Sequence, residues 1–312
     1  MPIADLHEIA INPSTINQYF DFDVYFRTND GRLALYKKKG THFNADRVKF
    51  GKLPGSLHVS LSDKINQVRD QTRLLNEKLV SELKTNPRKA KQRLSEVVAI
   101  TLSIPRGEVL EGVKDTIDVV VSEYLNSPHV LKNLSQVSIK DYSTQLHLTN
   151  AMVLCLGYAH HAGYSEDEMK LFGLIGLLHD VGKVHIPDEV LTAARKLTDE
   201  EFELIKGHSL KGWEMLKECE FDETVPLCAL EHHERIDGSG YPEGKEGKDL
   251  GDYSRTLAII DVYEALTNWR PYKEPMPPLQ AFKIIKSEAD QGKLDKTIFK
   301  DFAYTIAGMM KN

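Results

Sequence analysis

Cysteine is scarce in this chain: three residues, at 155, 219 and 228, none of them forming a C-x-x-C pair. That spacing excludes a disulfide framework and a thiolate zinc site, and it predicts a reducing compartment. Long apolar runs are missing as well. A stretch such as LFGLIGLL at 171–178 is far too short to span a bilayer. The opening MPIADLHEIA lacks the basic and apolar regions of a signal peptide, so the expectation is a cytoplasmic protein without membrane insertion. An excess of basic charge is absent too. A formal net charge of −6 argues against general nucleic-acid binding. It leaves an anionic small molecule open, because local charge can oppose the net sign. Neither internal repeats nor low-complexity segments interrupt the sequence. With 41% hydrophobic and 28% charged residues over 312 positions, there is material for a sizeable core.

The period of the pattern changes along the chain. DVYFRT (23–28) and RLALYKKKG (32–40) read as strands joined by the turn Asn29-Asp30-Gly31, and SLHVSL (56–61) reads as a third strand after Pro54-Gly55. Residues 1–61 therefore form a small N-terminal α/β or mostly-β module, regulatory or interacting, with no catalytic constellation. From about 62, Ile65, Val68, Thr72, Leu75 and Leu79 recur at spacings of three and four, one face of a helix. Pro87, Pro105 and Pro128 punctuate further helices, so 62–139 reads as a helical linker with leading helices. From 140 to 312 helix follows helix, and the fold class is mainly α.

What the chain does have is histidine, and unevenly. Eight of its twelve histidines lie between 147 and 233: His147, His160, His161, His179, His185, His208, His232 and His233. In LLHDVGKVHIP (177–187), His179 and Asp180 end an apolar helix whose glycines permit close packing. Burying such groups is costly unless they have partners, and a metal is the natural one. Asp180 has two oxygens and can bridge two cations, with neutral imidazoles on each side. Lys183 follows one turn later and can direct a cation at whatever binds there. IKGHSLKG offers His208, and LAIIDVYEAL sets Asp261 in another apolar run. The segment HHERIDGSGYP (232–242) places two imidazoles side by side before a turn rich in glycine and proline. Read blandly it is a polar helix end entering a loop; in company with the other histidines, it delivers two more ligands. Five imidazoles and two carboxylates suffice for a binuclear site. Two divalent cations and two aspartates leave it net positive, which suits a phosphate ester, and occupancy should fall when the imidazoles protonate.

Taken together, HDVGK followed by HHERIDGSGYP resembles the HD-GYP family, a branch of the HD metal-dependent phosphohydrolases, over roughly residues 140–300. The resemblance implies a C-terminal HD-type helical bundle around a binuclear metal centre, with iron or manganese bound. It implies hydrolysis of cyclic di-GMP to pGpG and/or GMP, water activated by the metals attacking phosphorus. Carried over by position, the metal ligands are His147, His179, Asp180, His208, His232, His233 and Asp261, with Asp180 bridging. Lys183 would hold a phosphate oxygen or the metal-bound hydroxide, and Tyr241, Arg270 and Lys273 match positions that contact substrate. The Gly238–Pro242 turn would line the mouth of the site, where a partner such as a diguanylate cyclase domain could meet it. Ser143 stands where some members carry a glutamate for a third metal, so two metals are expected. TAAR (192–195) and GKDLGDYSR (247–255) depart from the family pattern in loops that shape the pocket. His160, His161 and His185 match no ligand position. Three alternatives stand beside a cyclic di-GMP phosphodiesterase: a hydrolase of cGAMP or linear dinucleotides, a cyclic di-GMP receptor without appreciable turnover, and a helical scaffold with incidental histidines.

Overall fold

The computed structural model describes residues 5–9, 11, 16–28, 30–49, 56–139, 143–270 and 273–310. Asn29 of the expected hairpin turn, Pro54-Gly55, Tyr142 and the Pro271-Tyr272 pair lie outside the described residues. The chain divides into two compact units, Met1–Gln71 and Thr72–Asn312.

The first unit is built on an antiparallel sheet of four strands: β1 (Leu6–Ile9), β2 (Val24–Arg27), β3 (Leu33–Lys37) and β4 (Leu57–Ser60), in the order β1-β4-β2-β3. The three strands expected from sequence are β2, β3 and β4. β1 was not anticipated: LHEI is a short edge strand without a β-branched run, and only its register against β4, Leu6 opposite Ser60 and Ile9 opposite Leu57, identifies it. Gly31, at φ +80°, turns the chain between β2 and β3. A short helix, α1 (Ala45–Lys49), precedes β4, and Phe22, Val24, Phe43, Leu57 and Val59 form the unit's own core.

The long helix α2 (Leu61–Thr85) begins directly after β4 and buries Val68, Thr72 and Leu79 along the face expected from their spacing. Asn86 then caps α3 (Pro87–Leu102), its side chain accepting from the Lys89 amide, with proline at the first helical position where no donor is lost. α4 (Gly107–Glu111), α5 (Val113–Asn126) and α6 (His129–Gln136) follow.

The second unit is organised around α7 (Thr144–His161), in which every side chain from Leu146 to Ala159 is buried. α8 (Glu166–Leu178) lies against it, started by a reciprocal capping box between Ser165 and Glu168. Its two glycines set the separation. A Cβ on Gly173 would come 2.8 Å from Leu156 Cδ2, and one on Gly176 would come 2.9 Å from the Met152 Cα. The remaining elements are α9 (Asp188–Leu191), α10 (Asp199–Lys217), α11 (Thr224–Glu231), α12 (Asp252–Thr267), α13 (Pro278–Asp290) and α14 (Lys296–Met310). A single apolar core runs from Leu79 and Ala90 through α7 and α8 to Phe302 and Ile306, so residues 72–139 share it with the later helices. Among the described residues no helix is long and apolar enough to cross a membrane. All three cysteines are free.

Candidate metal centre

Five helices of the second unit converge on Asp180. His147 sits on the first turn of α7, and Ser143, whose hydroxyl accepts from the Leu146 amide, caps that helix. In this chain the position is thus occupied by a helix cap. His179 and Asp180 terminate α8, His208 lies midway along α10, His232 and His233 end α11, and Asp261 is on α12. All are buried except His233, which is half-buried. Around the Asp180 carboxylate the donors fall into two sets. On the Oδ2 side are His147 Nε2 at 3.1 Å and His179 Nε2 at 3.5 Å, with Asp261 Oδ1 3.4 Å from His147. On the Oδ1 side are His208 Nε2 at 3.0 Å and His232 Nε2 at 3.5 Å. His233 completes the second set, with ligand atoms in each set within 4.8 Å of one another. Asp261 Oδ2 lies 3.9 Å from His233 Nδ1, so the second aspartate faces both sets.

The far nitrogen of each ring fixes which way its lone pair points. The Nδ1 atoms of His179, His208 and His232 each lie against the carbonyl three residues earlier, at 3.0, 2.6 and 2.9 Å from Gly176, Ile205 and Ala229. A carbonyl only accepts, so these nitrogens carry the protons and their Nε2 lone pairs face inward. The consequence is that bare lone pairs confront one another, His208 Nε2 standing 3.2 Å from His232 Nε2. Asp180 Oδ1 is fully buried yet has no hydrogen bond of proper geometry among the described residues. Such an arrangement is repulsive unless a cation sits among the lone pairs. Donors bound to one first-row cation at about 2.1 Å lie about 3 Å apart, close to these spacings. The residues fit a divalent metal centre.

His147 is held differently. Its Nδ1 lies 2.5 Å from Glu264 Oε2, one turn beyond Asp261 on α12. Glu264 is itself buried, accepts from Asn150 Nδ2 at 2.8 Å and pairs with Arg270 at 3.0 Å. Neither Glu264 nor Asn150 was expected from sequence. The signal was there, since each stands three residues after a proposed ligand on the same helical face. Burial alone would lower His147, but Glu264, with Asp180, lifts it to about 9. Burial drives His179 down to about 3 and lowers His208 and His233. Burial works to raise Asp180, and the Lys183 ammonium with His179 overcomes it, holding the carboxyl well below its ordinary range.

These shifts give the metal-free chain a pH signature. The contribution of His179 is complete above an ordinary histidine pKa of about 6.5 and is lost as pH falls toward 3. That of His147 is complete below that value and is lost as pH rises through about 9. Thermal melts of chelator-treated protein should therefore peak between these limits and fall on both sides. A melting temperature that kept rising below about pH 6 would contradict the buried neutral state of His179.

Of the expected substrate residues, Lys183 lies in the turn after α8 with its ammonium on Asp180 Oδ2. Tyr241 stacks on His233, ring centroids 4.7 Å apart. Arg270 is buried against Glu264 and within 3.5 Å of His147 Nδ1. Lys273 pairs with Arg270 through the backbone, and among the described residues its ammonium makes no ion pair with the centre. Of the histidines set aside, His160, His161 and His185 are exposed.

Two glycine positions and one glutamate shape the surroundings. A Cβ on Gly182 would lie 2.0 Å from the His208 carbonyl oxygen and 2.5 Å from the Gly212 amide, so the bare glycine is what lets α10 bring His208 to Asp180. Gly182→Ala should cost about 1–3 kcal/mol by overpacking and lower the metal content. Gly207→Ala, on the same helix with nothing within 4 Å, should be neutral or slightly stabilising. Denaturant melts with metal analysis read both, and equal behaviour of the two variants would refute the close approach. Beyond His233, Glu234 accepts the amides of Glu243, Gly244 and Lys245 at 2.7, 3.1 and 3.1 Å and so closes the GYP loop onto the end of α11. A Cβ on Gly240 would lie 2.4 Å from the Glu234 Cα, which leaves no room for a side chain inside that loop.

Comparison with known proteins agrees with this architecture. A family model described as HD domain matches residues 126–298. The chain is 33% identical over 193 residues to the cyclic di-GMP phosphodiesterase PA4108 of Pseudomonas aeruginosa, covering 62% of this chain and 46% of that protein. It is 35% identical over 179 residues to the 3'3'-cGAMP-specific phosphodiesterase 1 of Vibrio cholerae, covering 57% of this chain and 41% of that protein. The chain thus spans less than half the length of these two curated relatives. Among solved structures, Bd1817, an HDG"Y"P protein from Bdellovibrio bacteriovorus, superimposes with a TM-score of 0.63 at 22% identity, over 97% of this chain and 100% of that one. That likeness concerns the fold.

Proposed function

The chain belongs to the HD domain family, in its HD-GYP branch, and on that premise we propose that it is a metal-dependent phosphodiesterase that hydrolyses cyclic di-GMP to pGpG and GMP in bacterial second-messenger signalling. The observation that carries this reading is the buried Asp180 carboxylate with a separate group of inward-facing imidazoles at each oxygen. His147, His179 and Asp261 would hold one cation and His208, His232 and His233 the other, with Asp180 shared. Iron and manganese both suit this imidazole and carboxylate set. When bound, the cations supply Lewis acidity to the phosphodiester and make water a competent nucleophile near neutral pH.

The protein's own groups do the rest. With Asp180 committed to a bound cation, the Lys183 ammonium would be positioned to stabilise charge growing on a phosphoryl oxygen. Tyr241, stacked on His233, offers an aromatic face to a guanine at the rim. Arg270 acts on the substrate side indirectly, by holding the Glu264 carboxylate that orients His147. The exposed Ser239 in the GYP turn marks the rim where a partner domain such as a diguanylate cyclase would dock.

A second substrate has its own support, since one of the relatives is named for 3'3'-cGAMP. The test is a turnover assay on metal-quantified protein reconstituted with Fe(II) or Mn(II), with cyclic di-GMP and 3'3'-cGAMP in parallel. About two metals per chain with pGpG or GMP appearing from cyclic di-GMP is the expected result. Faster cleavage of 3'3'-cGAMP would move the assignment to that dinucleotide. Bound but intact nucleotide under both reconstitutions would make the chain a receptor.

A further inference from the structure

Apart from the metal centre, the second unit contains a cavity of about 350 Å³ among α3, α6, α7, α12 and α14, whose walls include Lys91, Asn150, Val153, Tyr263, Ile306 and Met309. None of the proposed metal ligands lines it. Its size falls in the range of small-molecule sites, and its surface is mainly apolar. Two buried polar groups in that wall have capacity that the protein leaves unused.

The first is Lys91, only 4% exposed. Its ammonium donates to the Leu134 and Val137 carbonyls, at 3.2 and 2.7 Å, and so caps the end of α6. An ammonium has three donors, so one remains after those two bonds. Among the described residues no carboxylate lies within ion-pair distance of it. Burial pushes the Lys91 pKa down to about 8 in spite of the pull of Glu264, as befits a cation without a counter-ion in contact. The second is Asn150, 5% exposed, whose Nδ2 is spent on Glu264 while its Oδ1 has no hydrogen-bond partner among the described residues. Capping of α6 explains two of the Lys91 bonds. It explains neither the cavity nor the bare carbonyl of Asn150.

We propose that this cavity is a binding site for an amphipathic carboxylate, its anionic head on Lys91, its hydrocarbon body on Val153, Tyr263 and Met309, and a hydroxyl of the ligand donating to Asn150 Oδ1. The site does not depend on which dinucleotide the metal centre cleaves, or on whether it cleaves one. Asn150 and Asn268 also line a smaller cavity that reaches His147 and Glu264, so an occupant would touch the residue that steadies the support of His147.

The test is calorimetric titration of the 312-residue chain with 3-hydroxydecanoate, and with 1-decanol as the uncharged counterpart. The acid should bind about tenfold or more tightly than the alcohol, the difference expected of a charge-assisted bond in a buried site. Lys91→Met should abolish that preference while leaving binding of the alcohol within about twofold. Equal affinity for acid and alcohol in the wild type, or a preference that survives Lys91→Met, would overturn the proposal. Should Lys91→Met not fold, a crystal structure of the wild-type protein with 10-bromodecanoate decides, since bromine anomalous signal must lie in the cavity if the proposal holds and elsewhere, or nowhere, if it does not.

Discussion

Asp180→Ala should leave the chain with almost no bound metal and reduce cyclic-dinucleotide hydrolysis by on the order of 10³-fold or more. The size of the effect follows from the sharing of one carboxylate between two donor sets. Removing a terminal imidazole weakens one site, whereas removing Asp180 deprives both of the anion around which His147, His179, His208 and His232 are gathered. It also leaves Lys183 with its ammonium facing a ring of nitrogens, where it repels any cation that enters. Asp180→Asn separates charge from shape: the amide keeps the volume but brings an NH₂ group toward one set of lone pairs, so one metal equivalent should be lost before the other. His160→Ala is the control. That ring is exposed and meets Tyr124 edge-on at 5.2 Å, so metal content and turnover should stay at the wild-type level. Metal analysis alongside a thermal melt distinguishes loss of ligation from loss of fold. Two metals retained in Asp180→Ala would remove the shared-carboxylate assignment altogether.

The residues that were legible from sequence are those whose chemistry is out of place in their surroundings. A histidine and an aspartate closing an apolar helix at 179–180, or an aspartate inside LAIID, demand a partner before any coordinates are known. Pro87 was legible as a helix boundary and stands at the first position of α3, whereas the capping boxes at Ser165 and Thr198, though just as local, were found only with the structure. What escaped depends on contacts distant in sequence. β1 exists because β4 pairs with it, not because LHEI favours a strand. The two compact units divide at Gln71, inside the unbroken helical period of α2. Gly182 is an ordinary glycine until the backbone of α10 is found against it. The pairing of Arg270 with the buried Glu264 joins residues six apart across the end of α12, and nothing in RPYK points to it. Glu264 and Asn150 look like common helix-surface residues, and only their burial beside His147 gives them a role.

That role sets up the second large effect. Glu264→Gln should weaken metal binding at the His147 set by roughly 10–100-fold, the usual consequence of removing a carboxylate behind a ligating imidazole. The wild-type carboxylate serves three donors at once: His147 Nδ1 and Arg270 on Oε2, and Asn150 Nδ2 on Oε1. A glutamine has one oxygen and one NH₂ group, so in either orientation its NH₂ must face a donor. Turned one way it confronts Asn150; turned the other it confronts His147 and Arg270, leaving the guanidinium without its counter-charge. The imidazole loses both its orientation and the basicity it draws from the carboxylate. His208 and His232, anchored instead by the carbonyls of Ile205 and Ala229, are untouched. At limiting free metal the variant should therefore carry about one equivalent where the wild type carries about two. Arg270→Met supplies the contrast, because it removes the cation but keeps the Glu264–His147 pair, and it should retain both metals with a smaller loss of affinity. If Arg270→Met lost metal as readily as Glu264→Gln, or if both donor sets of Glu264→Gln emptied together, the carboxylate would be holding the helices in place and would not be tuning His147.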